Sequence, residues 1–308
     1  MVTVFAGLAL VLLLLILLGL GIVAVLLVMG LLTRGSRPAR EERAVLAARF
    51  GGAFVGLIGA VVFAGLPRVL GFDLRLGRGA MLAPIVFGLI LLCGVIAGEL
   101  IARAPAPSGT RSASLAPRRV IDYVPAAYGY SLALVSVGVL LLLATTTATA
   151  AADDLGRAGR VLRNVCSNTI TSSHGPYPGS FYAVPLVLGL ILAFALAAYA
   201  ARVAVLRPRG DLSRLGADYL RKRSVAAVVG ALGLAICGPT LGVAIVSASS
   251  LLSNTCPTGW QRSAGILSIL LALGSLIVMV WSVAVIVYAG VFAGRPHNGV
   301  PHEAAPSA

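Results

Sequence analysis

The sequence predicts an all-helical, polytopic membrane protein: a bundle of about seven transmembrane spans, N-terminus outside and C-terminus cytoplasmic. Three observations carry the prediction. Of 308 residues 59% are apolar and 11% charged, and the mean hydropathy is +1.00, far from the balance of a soluble domain. The apolar residues form runs long enough, at about 1.5 Å per residue, to cross a hydrocarbon layer of roughly 30 Å. The 24 basic residues fall in short segments between those runs, unevenly enough to set an orientation.

The orientation follows from one stretch. RVAVLRPRGDLSRLGADYLRKR puts Arg202, Arg207, Arg209, Arg214, Arg221, Lys222 and Arg223 between two membrane-length runs. Cytoplasmic loops retain Lys and Arg, so this segment is expected to be a basic cytoplasmic loop. Cys166 and Cys256 then lie on the opposite side, where a disulfide persists, and they form the expected bridge. With this assignment 17 basic residues lie inside and seven outside.

The expected transmembrane domain covers residues 1–293, with spans at about 3–32, 44–66, 80–102, 124–150, 183–206, 224–252 and 263–293. The first run has no charge before Arg34 and lacks the basic start and small-residue cleavage site of a signal peptide, so it reads as a retained span. In the second, Gly52, Gly56 and Gly59 line one flank, where small residues admit a neighbouring helix, and Arg49 is expected to snorkel to the headgroups. The outer loop 67–79 carries Arg68, Arg75 and Arg78, against the charge rule. In the third span Glu99 stands four residues before Arg103, the spacing of an ion pair along one helix, and a Pro/Ser/Ala-rich cytoplasmic linker follows. Tyrosines at the inner end of the fourth span suit an interfacial belt.

The longest outer segment, 153–182, is expected to hold a short surface helix in its first half and no regular helix in GPYPGSFYAVP. Gly238 and Pro239 interrupt the sixth span, and Gly238 with Gly242 makes a small-xxx-small pair. The polar tail, 294–308, is expected to be a disordered cytoplasmic extension. The last six spans form three hairpins that each begin with a basic stretch, EERAVLAARFGGAFVG, RRVIDYVPAAYGYS and RKRSVAAVVGALG. A parallel internal repeat and the generic pattern of any membrane hairpin both fit this.

Several function classes fall on residue content. His174, His297 and His302 all lie outside the spans, leaving no intramembrane haem, zinc-protease or serine–histidine site. The seventh span has no lysine for a Schiff base, and the receptor motifs DRY and NPxxY are missing. No P-loop is present to drive transport with ATP. The expected span centres carry no ionisable side chain, which disfavours a buried proton relay. The charge of +14 is spread over loops, so it sets topology and meets lipid headgroups; no nucleic acid is expected.

One polar cluster remains. Thr145, Thr146 and Thr147, with Thr149, lead into Asp153 and Asp154. Either the hydroxyls line an outer vestibule whose carboxylates attract a cation or activate a lipid-linked substrate, or each threonine bonds back to its own helix and the aspartates end it in water. No cofactor and no metal are expected. The functional expectation is a non-enzymatic accessory or permease-like subunit of the plasma membrane, with the Arg-rich, Lys-poor composition pointing to a bacterial one. The expected partners are membrane lipids and a membrane protein or a second copy. The alternatives are an enzyme acting on a lipid-linked substrate at the outer surface and a small-molecule sensor with an outer vestibule.

Overall fold

The computed structural model describes residues 40–65, 77–101, 119–206 and 214–289. The expected first span, most of the outer loop 67–79, the linker, Arg207 and Arg209, and the polar tail lie outside the described residues. Among those described, six helices are long and apolar enough to cross a membrane: α1 (Arg40–Gly65), α2 (Arg78–Ile101), α3 (Ala126–Thr149), α4 (Ser180–Val205), α5 (Arg214–Leu252) and α6 (Gly259–Val287). They correspond to the second through seventh expected spans, and the fold is all-helical apart from one small hairpin.

α5 is the axis of the bundle. In its membrane-length window 67% of residues are buried, against 33% or fewer in every other helix, and it packs against α6, α2, α4 and α3. Small residues make this possible: Ala226, Ala227, Ala231, Ala235 and Ala244 are all fully enclosed, and alanines and glycines let helix backbones approach where lipid supplies no hydrophobic drive to associate. The outer faces are the reverse. Phe54, Val61, Leu134, Leu188 and Ile277 stand 62–74% exposed in mid-helix. In water such a belt would aggregate; in hydrocarbon it costs nothing.

α1 packs chiefly against α2. The three glycines expected along its flank face that helix: a Cβ at Gly52 would fall 2.8 Å from the Cα of Gly94, and Gly56 and Gly59 meet Phe87 and Ile90. Arg49 does not snorkel. It is buried, and its guanidinium donates to Glu99 Oε1 across the two helices at 2.9 Å. The expected partner Arg103 lies outside the described residues.

Three further expectations are corrected. The basic segment is not a loop throughout: Arg214, Arg221, Lys222 and Arg223 belong to α5, which begins ten residues earlier than expected. Nothing between 214 and 223 breaks a helix outright, and the Asp218–Arg221 pair at 2.7 Å, one turn apart, supports it. The surface helix is instead an antiparallel hairpin, β1 (Leu162–Val165) and β2 (Thr171–His174), with Leu162 opposite His174 and Val165 opposite Thr171. Val161, Val165, Ile170 and Thr171 are β-branched, and Ser167 and Asn168 supply the turn. Finally, the end of GPYPGSFYAVP is helical: α4 starts at Ser180 and runs through Pro185, whose ring there meets only the first turn. Pro239 likewise stays within α5. Gly238 faces Pro84, but a Cβ at Gly242 would meet nothing within 4 Å, so the pair does not pack as one surface.

Candidate functional site

The ends of α3, α4, α5 and α6 that meet the hairpin carry most of the polar side chains the sequence singled out. Cys166 and Cys256 are joined in a disulfide, their Cα atoms 5.8 Å apart, which ties the hairpin to the α5–α6 turn. A polar clasp lies beside it. The side-chain amides of Asn164 and Gln261 exchange two hydrogen bonds of 2.7 Å each, and Asn164 Nδ2 also reaches Cys256 O at 3.2 Å. Gln261 in turn accepts from the Thr258 backbone N–H at 3.0 Å, completing a capping box at the start of α6. Tyr177 is enclosed against Leu162 and Leu251. Burial pushes its hydroxyl above the ordinary phenol range, with its bond to Thr149 pulling the other way.

The threonines and aspartates are not brought to one site. Thr145 Oγ1 donates to Leu142 O at 2.9 Å, and Thr149 Oγ1 to Thr145 O at 2.8 Å. Thr146 is buried, and its hydroxyl ties α3 to Pro178 O at 2.8 Å. Thr147 is exposed. The Asp153 carboxylate is engaged in a turn: it accepts from the backbone N–H groups of Leu155 (3.1 Å) and Arg157 (2.9 Å) and from Arg157 Nε (2.8 Å). The Arg157 guanidinium holds its carboxyl below the usual carboxylate range. Asp154 stands exposed beside it. Among the described residues no three His, Cys, Asp or Glu side chains are grouped to hold a metal ion.

A second polar feature runs along the α5–α6 interface. Gly233, Thr240, Ser247 and Asn254 recur every seven residues on α5; Gln261, Ser268, Ser275 and Ser282 do so on α6. All seven polar members are at most 5% exposed. A Cβ at Gly233 would collide with Ser282 and the Tyr128 hydroxyl, and one at Gly265 with Leu252, which fixes an antiparallel register. Thr240 is thereby level with Ser275, Ser247 with Ser268, and Asn254 with Gln261. Successive rungs are about 10 Å apart, so the four span roughly the thickness of a hydrocarbon layer.

The rungs differ in how they are satisfied. Farthest from the hairpin, Tyr128 Oη and Ser282 Oγ share a hydrogen bond of 2.7 Å, and Trp281 packs edge-on to the Tyr128 ring. The hydroxyls of Thr240, Ser268, Ser275 and Ser282 donate to carbonyls four residues back on their own helices. Nearer the hairpin, Ser247 Oγ and both amide atoms of Asn254 are buried with no partner among the described residues. These rungs escaped the sequence reading because each residue is small and unremarkable alone; the seven-residue spacing was the signal.

The chain matches no protein-family model, and neither a curated protein nor a solved structure is similar to it.

Proposed function

We propose that this chain is a non-enzymatic plasma membrane protein, permease-like or an accessory membrane subunit, with seven spans and the hairpin on the outside. The observation that carries the reading is that two enclosed polar side chains on the rung line, Ser247 and Asn254, have no partner among the described residues. An enclosed polar group without a partner costs about 1–3 kcal/mol, and in a membrane it is kept where it meets water or a polar solute. The rung line holds hydroxyl and amide groups and no formal charge. It therefore suits small neutral solutes.

Purified protein in lipid vesicles tests this by stopped-flow light scattering with glycerol and urea as solutes. Flux several-fold above protein-free vesicles, abolished in S247L, is the expected result. Flux equal to protein-free vesicles removes the permease reading. A companion protein retained on purification from the native membrane then carries the accessory reading, and its absence removes that as well.

A further inference from the structure

Three side-chain amides lie at the hairpin end of the α5–α6 interface, and two of them satisfy each other. Asn164 and Gln261 exchange two hydrogen bonds. Asn164 Nδ2 donates its other proton to Cys256 O, and Gln261 Oε1 accepts a second bond from the Thr258 N–H. The third amide, Asn254, is level with Gln261 yet has no share in this pair. It is 5% exposed, and its Nδ2 and Oδ1 are both buried with no partner among the described residues.

An amide presents a donor and an acceptor side by side. Its complement presents an acceptor and a donor in the same arrangement, as Asn164 does to Gln261, and another amide supplies both at once. The Asn254 backbone is also held in place before any ligand arrives. Ser253 N–H, just ahead of it, bonds back to Ser249 O, and Cys256, two residues on, is fixed by the disulfide. Binding to a group already positioned costs less ordering.

The deeper rungs carry a matching bias. Thr240, Ser268 and Ser275 each donate their one hydroxyl proton to a carbonyl of their own helix, so a lone pair is all they can offer a solute. Such a line favours solutes rich in N–H donors. An amide nitrogen brings donors without a competing lone pair, whereas a polyol brings an acceptor with every donor. We propose, on the reading of the rung line as a route for neutral solutes, that Asn254 binds the amide group of the solute and makes the route selective for urea and simple carboxamides over polyols of the same size.

Stopped-flow light scattering on the full chain in lipid vesicles tests this with urea, acetamide and ethylene glycol, after subtraction of flux through protein-free vesicles. The three solutes have the same number of non-hydrogen atoms, so size does not separate them. Wild-type protein is expected to carry urea and acetamide roughly tenfold faster than ethylene glycol, the effect of about one net hydrogen bond. N254L keeps the shape of the side chain and loses the amide, and is expected to bring that ratio close to one. S247A removes a hydroxyl that can pair with either class of solute and is expected to leave the ratio as in wild type. A wild-type ratio near one overturns the proposal and leaves the permeation reading standing, as does a ratio that N254L preserves or that S247A lowers equally. Water flux that falls in N254L at an unchanged ratio assigns the Asn254 amide to water and also overturns it. Absence of flux for every solute removes the permeation reading and the proposal together. Where N254L fails to fold by circular dichroism, N254S, which keeps a hydroxyl and loses the amide, takes its place.

Discussion

Removing one member of the Arg49–Glu99 pair tests the account of how α1 is held. The two charged groups meet at 2.9 Å with side chains only 7% and 1% exposed. At an effective dielectric constant of about 20, Coulomb attraction at that distance is about 6 kcal/mol, most of it offset by desolvating both groups. The asymmetry of a buried pair then sets the outcome. R49M leaves an enclosed carboxylate, and E99Q an enclosed guanidinium; each is expected to cost about 3–5 kcal/mol. The double variant R49M/E99M leaves neither and is expected to lie within about 1 kcal/mol of wild type.

Because α1 packs chiefly on α2, the loss should register as local detachment. Backbone hydrogen exchange in detergent micelles is the assay, with protection of α1 amides expected to fall by roughly two to four orders of magnitude in the single variants and to return in the double. Two results would refute the reasoning: single variants with wild-type protection, or a double variant whose loss equals the sum of the singles.

Two further predictions concern the hairpin. The disulfide closes a loop with a sequence separation of 90, for which chain entropy sets a ceiling of about 4–5 kcal/mol; reduction, or C166S/C256S, is expected to lower the unfolding temperature by less than this ceiling implies, because helices left in the membrane already restrict the unfolded chain. An unchanged melting curve after confirmed reduction would show that the amide clasp suffices. The Asp153 carboxyl titrates below its ordinary value, so it stabilises the 153–157 turn above the unfolded-state value of about 3.9 and loses that effect as pH falls through the lower folded value. Exchange at the Leu155 and Arg157 amides should therefore stay protected at neutral pH and rise in acid, and D153N should abolish that dependence.

What the sequence made legible was set by length scale. Runs of twenty apolar residues announce a span whatever its neighbours, so α1 to α6 fall within a few residues of expectation except at the start of α5 and the end of α6. There the reading of Arg214 to Arg223 as loop mistook charge for irregularity; charged residues near a membrane boundary continue a helix as readily as they leave it. Cys166 and Cys256 were legible because a pair expected on one side of a membrane has few partners to choose from. The Arg49–Glu99 pair was not legible because the two residues are 50 apart in sequence and meet only in space, where the Gly52–Gly94 contact brings their helices together. Asn164 and Gln261 carried no signal, since an amide pair across 97 residues has no spacing rule. The Thr145–Asp154 cluster was visible only as composition, and hydroxyls that bond back to their own helix look the same in a sequence as hydroxyls that line a vestibule.

The disulfide has one mechanical consequence. It rivets the segment between α3 and α4 to the turn between α5 and α6, so at that end these two helical hairpins move as one body. Any splaying between them has to widen from the opposite end, as the arms of tongs part from a fixed joint. The Tyr128–Ser282 contact sits far from that joint, where the same angular movement gives the greatest displacement.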